Sequence, residues 1–378
     1  MIFSLNFEKY MKILRFPLIL LLIIFSFSIS NAQKTWNPQK TWVFFAGLLE
    51  WQDSDTLPSF PQKNPRDKIL FDLLKQSGVP TNQMVYLQDS QATTAKIQSE
   101  FIKILQKAKP DDWIFVYYCG HGFKDEKANA FLASFDVGGK TPGWAVKSVP
   151  ETIEKYFKGS TAIIALDNCY SGSMADAVKS QRRRVSYAVL ASSMASQAST
   201  GNWTFTEALI SAFRGENFID DDHNGVITFA ELKSNTEDDM LFGEEQMATI
   251  AFTGNFDSNT VIAKAEPASN SSRMGERVEV FSANEWWRGY IIDTKNDKFR
   301  VHYYGWEDSD DEWVTAKQMR QPKVNQYRIG EKVEVEWQKK WYPAKVLEVK
   351  GGSHFITYEG YGSEWDEWVS SKRIRKVK

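Results

Sequence analysis

The chain of 378 residues carries 46 Lys and Arg against 48 Asp and Glu, a formal net charge of −2, with 42% hydrophobic and 25% charged residues. That length and apolar content allow one large core with smaller domains beside it and exclude an intrinsically disordered protein. The near-neutral balance excludes a protein dominated by attraction to phosphate or acidic lipid, while leaving local basic patches open.

The first segment sets Lys9, Lys12 and Arg15 before an apolar run over 16–29, followed by Ser30, Asn31 and Ala32. A positive start, a short apolar stretch and a small-x-small site read as a signal peptide over 1–32, cleaved before Gln33. The apolar run of about 14 residues falls short of the ~20 that span a bilayer, so no stable membrane insertion is expected after cleavage. The mature protein is then exported, to the periplasm or the extracellular space. It has only two cysteines, Cys119 and Cys169, so it is not a disulfide scaffold.

Between 40 and 263, apolar runs bounded by turn residues alternate with helical patterns. Strands are predicted at 41–47 and 84–88, from Trp113, from Thr161 and at 185–190. Helices are predicted at 66–76, 94–108, 151–157 and about 204–214; Ile97, Phe101, Ile104 and Leu105 mark one apolar face. This alternation implies an α/β domain with a mainly parallel sheet and helices on both faces. Ligands of such sheets sit beyond the carboxyl ends of the strands.

Two of these strands end in reactive side chains. The run from Trp113 ends in Cys-Gly-His-Gly and brings His121 to its tip; the run from Thr161 ends in Asp-Asn-Cys-Tyr-Ser-Gly and brings Cys169 to its tip. Parallel neighbours would place thiol and base at one sheet edge, as a cysteine hydrolase requires. The other histidine of this region, His223, lies in an acidic loop, which leaves His121 as the base. Gly122 lets its backbone N–H approach a substrate and, with the N–H of Cys169, offers an oxyanion hole. A single Cys in a turn is also a common structural feature, so the pair alone leaves that reading open.

The segment Phe115-Val-Tyr-Tyr-Cys-Gly-His-Gly122, followed about fifty residues on by Leu166-Asp-Asn-Cys-Tyr-Ser-Gly172, resembles the caspase-like fold of metacaspases and bacterial caspase homologues. The similarity covers about 40–257 and includes Ala191-Ser-Ser193 and Phe205-Thr-Glu-Ala-Leu209. It implies a Cys169–His121 dyad that cleaves peptide bonds. In metacaspases the acidic residue two before the nucleophile lines the specificity pocket and favours Arg or Lys, and Asp167 stands there; it reads equally as a strand-end carboxylate accepting loop N–H bonds. The acidic residues that metacaspases carry after the next strand have no counterpart in Met194-Ala-Ser-Gln197. Relatives are often cut after the nucleophile strand, and here 179–184 ends in Arg182, Arg183 and Arg184, so self-processing is expected there unless the segment is simply a solvated basic loop. Cys119 is either a buried thiol or, with the strand tips close, a disulfide partner for Cys169.

Residues 220–231 fit the twelve-residue EF-hand loop. Asp220, Asp222 and Asn224 supply side-chain oxygens, Gly225 the sharp turn, Val226 a carbonyl, Thr228 position nine and Glu231 a bidentate carboxylate, so Ca2+ is the expected cofactor. No second hand accompanies the loop, and a stabilising role is expected rather than a switch. The alternative is a loop that keeps the turn geometry without binding metal.

A polar, Pro-containing stretch at 264–272 reads as a linker. After it the chain repeats with a period of about 55 residues. Gly275-Glu-Arg-Val-Glu-Val280 returns as Gly330-Glu-Lys-Val-Glu-Val335, and Asp311-Glu-Trp-Val314 as Asp366-Glu-Trp-Val369. Alternating Val, Ile and Tyr between Asn, Asp and Gly turns predicts two small all-β barrels, 273–322 and 327–378. The units resemble the Tudor-knot or chromo-barrel branch of SH3-like folds. That resemblance implies peptide or polymer binding through cage aromatics: Trp286, Tyr303, Trp306 and Trp313, then Trp341, Tyr358, Tyr361 and Trp368. Core packing is the alternative for each. For an exported protein, histone tails and RNA are not expected ligands, and a protein or other polymer partner is. The whole reads as an exported caspase-like endopeptidase acting on peptide or protein substrates. Its rival is a catalytically silent scaffold whose barrels carry the function.

Overall fold

The computed structural model describes residues 33–61, 65–139, 141–180, 183–267, 273–322, 327–350, 352–370 and 373–377. The segment 1–32, where a signal peptide is expected, residues 268–272 of the expected linker, Arg182 and the two ends of the 372–378 tail lie outside the described residues. Among the described residues no helix is long and apolar enough to cross a membrane.

The first part of the chain is a mixed α/β domain. Its elements run β1 (Thr41–Gly47), α1 (Arg66–Gln76), β2 (Met84–Gln88), α2 (Thr94–Lys107), β3 (Trp113–Cys119), β4 (Gly122–Lys124), β5 (Ala130–Leu132), β6 (Trp144–Ala145), α3 (Ser148–Tyr156) and β7 (Thr161–Asp167). They continue with α4 (Ser173–Lys179), β8 (Ser186–Ala191), α5 (Thr204–Arg214), β9 (Val226–Thr228), α6 (Phe229–Glu244), β10 (Thr249–Thr253) and β11 (Val261–Lys264). The main sheet has the order β10-β8-β7-β3-β1-β2, parallel except for β10. Strands β1, β3 and β7 are buried at every position, which is why they read as unbroken apolar runs. Alternate residues feed opposite faces. Phe44, Val116 and Ile164 pack with Phe101 and Trp144 on one side; Phe45, Phe115 and Ile163 pack with Phe205 and Phe213 on the other. Truncating a fully buried ring such as Phe115 to Ala costs about 3–5 kcal/mol.

Helix α3 begins three residues earlier than its sequence pattern suggests, because Pro150 falls in the first turn, where its missing N–H is not needed. The polar stretch before it forms a second small sheet, β4-β5-β6, from strands too short for their alternation to register. Strand β10 closes the main sheet as an antiparallel edge.

The C-terminal part contains two five-stranded antiparallel sheets. The first has β12 (Arg277–Ser282), β13 (Glu285–Lys295), β14 (Lys298–Tyr303), β15 (Glu312–Thr315) and β16 (Met319–Arg320); the second has β17 (Lys332–Trp337), β18 (Lys340–Lys350), β19 (Ser353–Tyr358), β20 (Glu367–Val369) and β21 (Ile374–Lys376). Their strand orders, β15-β14-β13-β12-β16 and β20-β19-β18-β17-β21, coincide. So do their bulges, after Ile291 and Val346, and their cores. Val278, Val280, Ile291, Val301, Tyr303 and Val314 in one correspond to Val333, Val335, Val346, Ile356, Tyr358 and Val369 in the other.

The first barrel is seated on α6 and α5. Tyr304 donates to Asp239 (2.6 Å), Arg277 pairs with the same carboxylate (2.9 Å), and Arg288 reaches Phe242 O (2.7 Å) and Glu245 (2.8 Å). Burial holds the Asp239 carboxyl above its usual range despite Arg277 beside it. Gly243 and Gly275 allow the contact: a Cβ on the first would stand 2.6 Å from Tyr304, and one on the second 2.3 Å from Phe218.

Candidate active site

The pairing of β3 with β7 sets Cys119 opposite Asp167, so His121 and Cys169, each two residues further on, leave the sheet at the same level. Both line one cavity of about 300 Å³ at the carboxyl edge of the strands. Around them stand Leu49, Phe60, Arg66, Asp167 and Glu207, the segment 199–203, and Gly305, Trp306 and Glu307 of the first barrel.

His121 is held on three sides. Its ring lies between Trp51 (4.4 Å) and Phe60 (4.5 Å), and its backbone carbonyl accepts from Tyr118 Oη (2.7 Å). Nε2 is 2.8 Å from Pro58 O. A carbonyl can only accept, so Nε2 carries the hydrogen and Nδ1 keeps its lone pair, which makes Nδ1 the basic atom. The residue before it, Gly120, has φ +140, a conformation that needs glycine.

Cys169 sits in the turn between β7 and α4, and Tyr170 after it has φ +60. That strained residue is anchored by its N–H on Gln197 O (2.8 Å), while Ser171 and Ser193 link their hydroxyls at 3.0 Å. Ser199 brackets the sulfur: its N–H donates to Sγ at 3.3 Å, and its carbonyl oxygen accepts from the thiol at 3.8 Å. Among the described residues no hydrogen bond joins Sγ directly to His121; apo sites commonly tighten only around substrate.

Ala133 N–H bonds His121 O, so Gly122 and Leu132 form the next, non-bonded pair of the β4–β5 ladder, and the Gly122 N–H turns away from β5. A Cβ on Gly122 would stand 2.2 Å from Cys169 O, so only glycine brings these two backbones together. Among the described residues the Cys169 N–H has no acceptor.

Asp167 forms part of the cavity wall. It accepts from the Thr206 hydroxyl (2.6 Å), which also lies 2.7 Å from Tyr117 Oη, so its partner is a buried hydroxyl rather than loop N–H groups. Burial pushes its carboxyl up to about 7. A second acidic group, Glu207, comes from α5 rather than from the loop after β8. It is paired with Arg66, which also grips Asp308 of the first barrel with both terminal nitrogens (3.1 and 2.5 Å). The sequence signal for Glu207 was its place as the sole carboxylate in a largely buried helix. His302 adjoins this cluster. Burial alone would lower its pKa, but Asp311 (2.7 Å) and Glu207 push it up to about 9. Glu207, His302 and Asp308 are close enough to share a metal ion, but the Arg66 guanidinium already supplies the positive charge there.

Cys119 and Cys169 are both free thiols. Cys119 Sγ points to Asp67 (3.5 Å), and burial pushes its thiol well above the ordinary range. In the segment 179–184, Arg184 is exposed, yet its side chain is tied to the backbone. It donates to Gly159 O and Phe157 O, and its N–H meets Glu154, while Arg183 reaches Ala177 O.

Carboxylate oxygens of Asp220, Asp222 and Glu231 lie within 4.8 Å of one another, and Gly225 turns at φ +86. Asp220 accepts from the N–H groups of Asn224 and Gly225, and Asn224 Oδ1 from Val226. Thr228 caps α6 in a reciprocal box with Glu231, so its hydroxyl is directed to that carboxylate. In place of a second hand, β11 pairs with β9, and Ala265 N–H bonds Gly225 O. His223, at φ +57, is exposed.

The barrel aromatics divide by strand alternation. Trp286 and Trp341 do not join a cage, because each is covered by an arginine of the last strand, Arg320 (3.7 Å) and Arg375 (3.9 Å). Their neighbours Trp287 and Tyr342 face the other way. In the second barrel Tyr342, Tyr358 and Tyr361 stand mutually edge-on at 6.1–6.3 Å, with Trp365 beside Tyr361. These rings and buried Trp368 line a groove of about 970 Å³ shared with Tyr170 and Gln197 of the α/β domain. In the first barrel Trp287 and Trp306 meet edge-to-face at 5.0 Å. Tyr303 is buried there, bonded to Glu312, and Trp313 lies exposed on β15 without joining that corner.

Residues 275–324 match the Agenet domain family, and residues 327–376 match the Tudor-knot family, described as the RNA binding activity-knot of a chromodomain. The chain ends in an Agenet domain and a Tudor-knot domain. No curated protein matches the chain. Among solved structures, protein GSU0716 from Geobacter sulfurreducens is similar at 13% identity, over 60% of this chain and 97% of that one, with a TM-score of 0.42. The tandem Agenet domains 3–4 of ADCP1 and the AGD34 unit of Arabidopsis thaliana AGDP1 are each similar at 21% identity over 28% of this chain. The matches cover 79% and 82% of those chains, with TM-scores of 0.14.

Proposed function

We propose that the α/β domain is a caspase-like cysteine endopeptidase that cleaves after Arg or Lys, and that it is exported. The observation that carries this reading is the convergence of Cys169 and His121 on one cavity with a carboxylate-bearing wall. His121 Nδ1 takes the thiol proton, and the Cys169 thiolate attacks the scissile carbonyl carbon. The oxygen, now carrying the negative charge, is met by the N–H groups of Gly122 and Cys169. The imidazolium returns its proton to the leaving amine, the C–N bond breaks, and an acyl-enzyme remains. Water, deprotonated by the same imidazole, cleaves the thioester and regenerates the thiol. Asp167 supports a basic side chain next to the scissile bond.

Calcium fits the loop beside this domain. Asp220, Asp222, Asn224, the Val226 carbonyl and Glu231 would hold it, with Thr228 at the remaining position. Bound there, the ion would neutralise clustered carboxylates and brace α6, on which the Agenet domain sits. Self-processing at Arg182 to Arg184 requires Arg184 to leave its carbonyl partners first, or cleavage by a second molecule. The two C-terminal domains add binding of a protein or polymer partner.

The rival reading, a silent scaffold, draws on the large aromatic groove of the Tudor-knot domain. Hydrolysis of fluorogenic peptides ending in Arg, Lys or Asp, with and without calcium, separates the two. Wild type should cleave the Arg and Lys peptides, and Cys169→Ala should not. Thiol-independent cleavage, or none, overturns the peptidase.

A further inference from the structure

The Agenet domain is built into the cleft. Gly305, Trp306 and Glu307, in the turn between β14 and β15, form one wall of the cavity that holds Cys169 and His121. The turn is tightly fixed. Gly305 has φ +78, and a Cβ there would stand 2.7 Å from Asn202, inside the 199–203 segment whose Ser199 donates to the nucleophile. Next along the chain, Asp308 is held by Arg66, and the preceding residue, Tyr304, is buried with its hydroxyl on Asp239.

In the Tudor-knot domain the counterpart of Trp306 is Tyr361, part of the groove corner described above. The Agenet domain instead directs Trp306, packed edge-to-face on Trp287, at the cavity that holds Cys169 and His121. Trp306 is 46% exposed although it lines that cavity. An indole face left open at a cleft rim attracts a cation, and Glu307 adds a carboxylate next to it.

Resting on the peptidase reading, we propose that Trp306, with Glu307, is a substrate subsite for a second basic side chain of the peptide, adjoining the one met by Asp167. The Agenet domain is thus a specificity element of the enzyme, and the preferred substrate is dibasic. Arg66 is a positioning residue that keeps the subsite at the cleft.

The test uses the full chain and two internally quenched peptides that differ only in whether the residue before the cleaved Arg is Arg or Ala. Wild type should favour the dibasic peptide through KM. Trp306→Ala should lower the dibasic-to-monobasic ratio of kcat/KM about tenfold, in the range of a desolvated cation–π contact, and Trp306→Phe should restore most of it. A ratio unchanged within about twofold on Trp306→Ala overturns the subsite. Binding of the same peptides to Cys169→Ala, followed by calorimetry, separates this from failure of the peptidase reading. Trp306-dependent discrimination there upholds the subsite even without turnover, and its absence removes it.

Discussion

Asp167→Asn isolates the electrostatics of the pocket. The carboxyl is buried against Thr206 and pushed up to about 7 from an ordinary 3.8. Because its folded value is raised, the folded protein keeps the proton through a range where the unfolded chain releases it. Stability therefore falls as pH rises from about 4 to about 7 and is level above that. A difference of about three pH units, at 1.36 kcal/mol each, sets a ceiling of about 4 kcal/mol. The asparagine variant should lose this pH dependence, seen in denaturant midpoints between pH 4.5 and 8. For substrate binding the sign reverses, since only the ionised carboxylate attracts a guanidinium. About a tenth of Asp167 is ionised at pH 6 and about nine-tenths at pH 8. The kcat/KM ratio of an arginyl peptide to its citrulline isostere should accordingly rise several-fold, up to about tenfold, over that interval; the ratio cancels titration of the dyad. Asp167→Asn should flatten the profile. A variant that keeps both the arginine preference and its pH slope would refute the role given to Asp167.

Gly122→Ala drives a methyl into the Cys169 carbonyl, so the oxyanion backbone and the nucleophile turn must separate; kcat should drop about 100-fold with little change in far-UV circular dichroism, and a loss below threefold would place the oxyanion elsewhere. Glu231→Gln removes the bidentate carboxylate of the calcium loop. If that site binds with a Kd of ~10⁻⁴ M, 10 mM calcium should raise wild-type stability by about 2.7 kcal/mol in thermal melts and the variant's by much less. Tyr304→Phe leaves buried Asp239 short of a hydrogen bond; it should cost about 1–3 kcal/mol in urea denaturation, and a neutral result would mean that the Agenet seat relaxes around the change.

The strand positions, most helices and the doubled barrels were legible because burial periodicity and a 55-residue repeat are properties of consecutive residues. His121, Cys169 and Gly122 were legible for the same reason, since each ends a recognisable run. The small sheet β4-β5-β6 was not, because strands of two or three residues leave no usable period. Of the aromatics, Trp306 and Tyr361 line cavities, whereas the side-by-side aromatics at 286–287 and 341–342 split to opposite faces, a choice made by the pleat and the arginines of the last strands.

The sequence alone determined the parallel core, the thiol and imidazole at its edge, the calcium-type loop and the duplicated barrels, because each is encoded within a short stretch. Only the tertiary structure decided what surrounds the thiol. Glu207, Arg66, Trp306 and Asp308 lie up to 242 residues apart and meet through helix packing and the seating of the Agenet domain on α6. Contacts at that separation are fixed by the shapes of folded surfaces and leave no periodic mark in the chain.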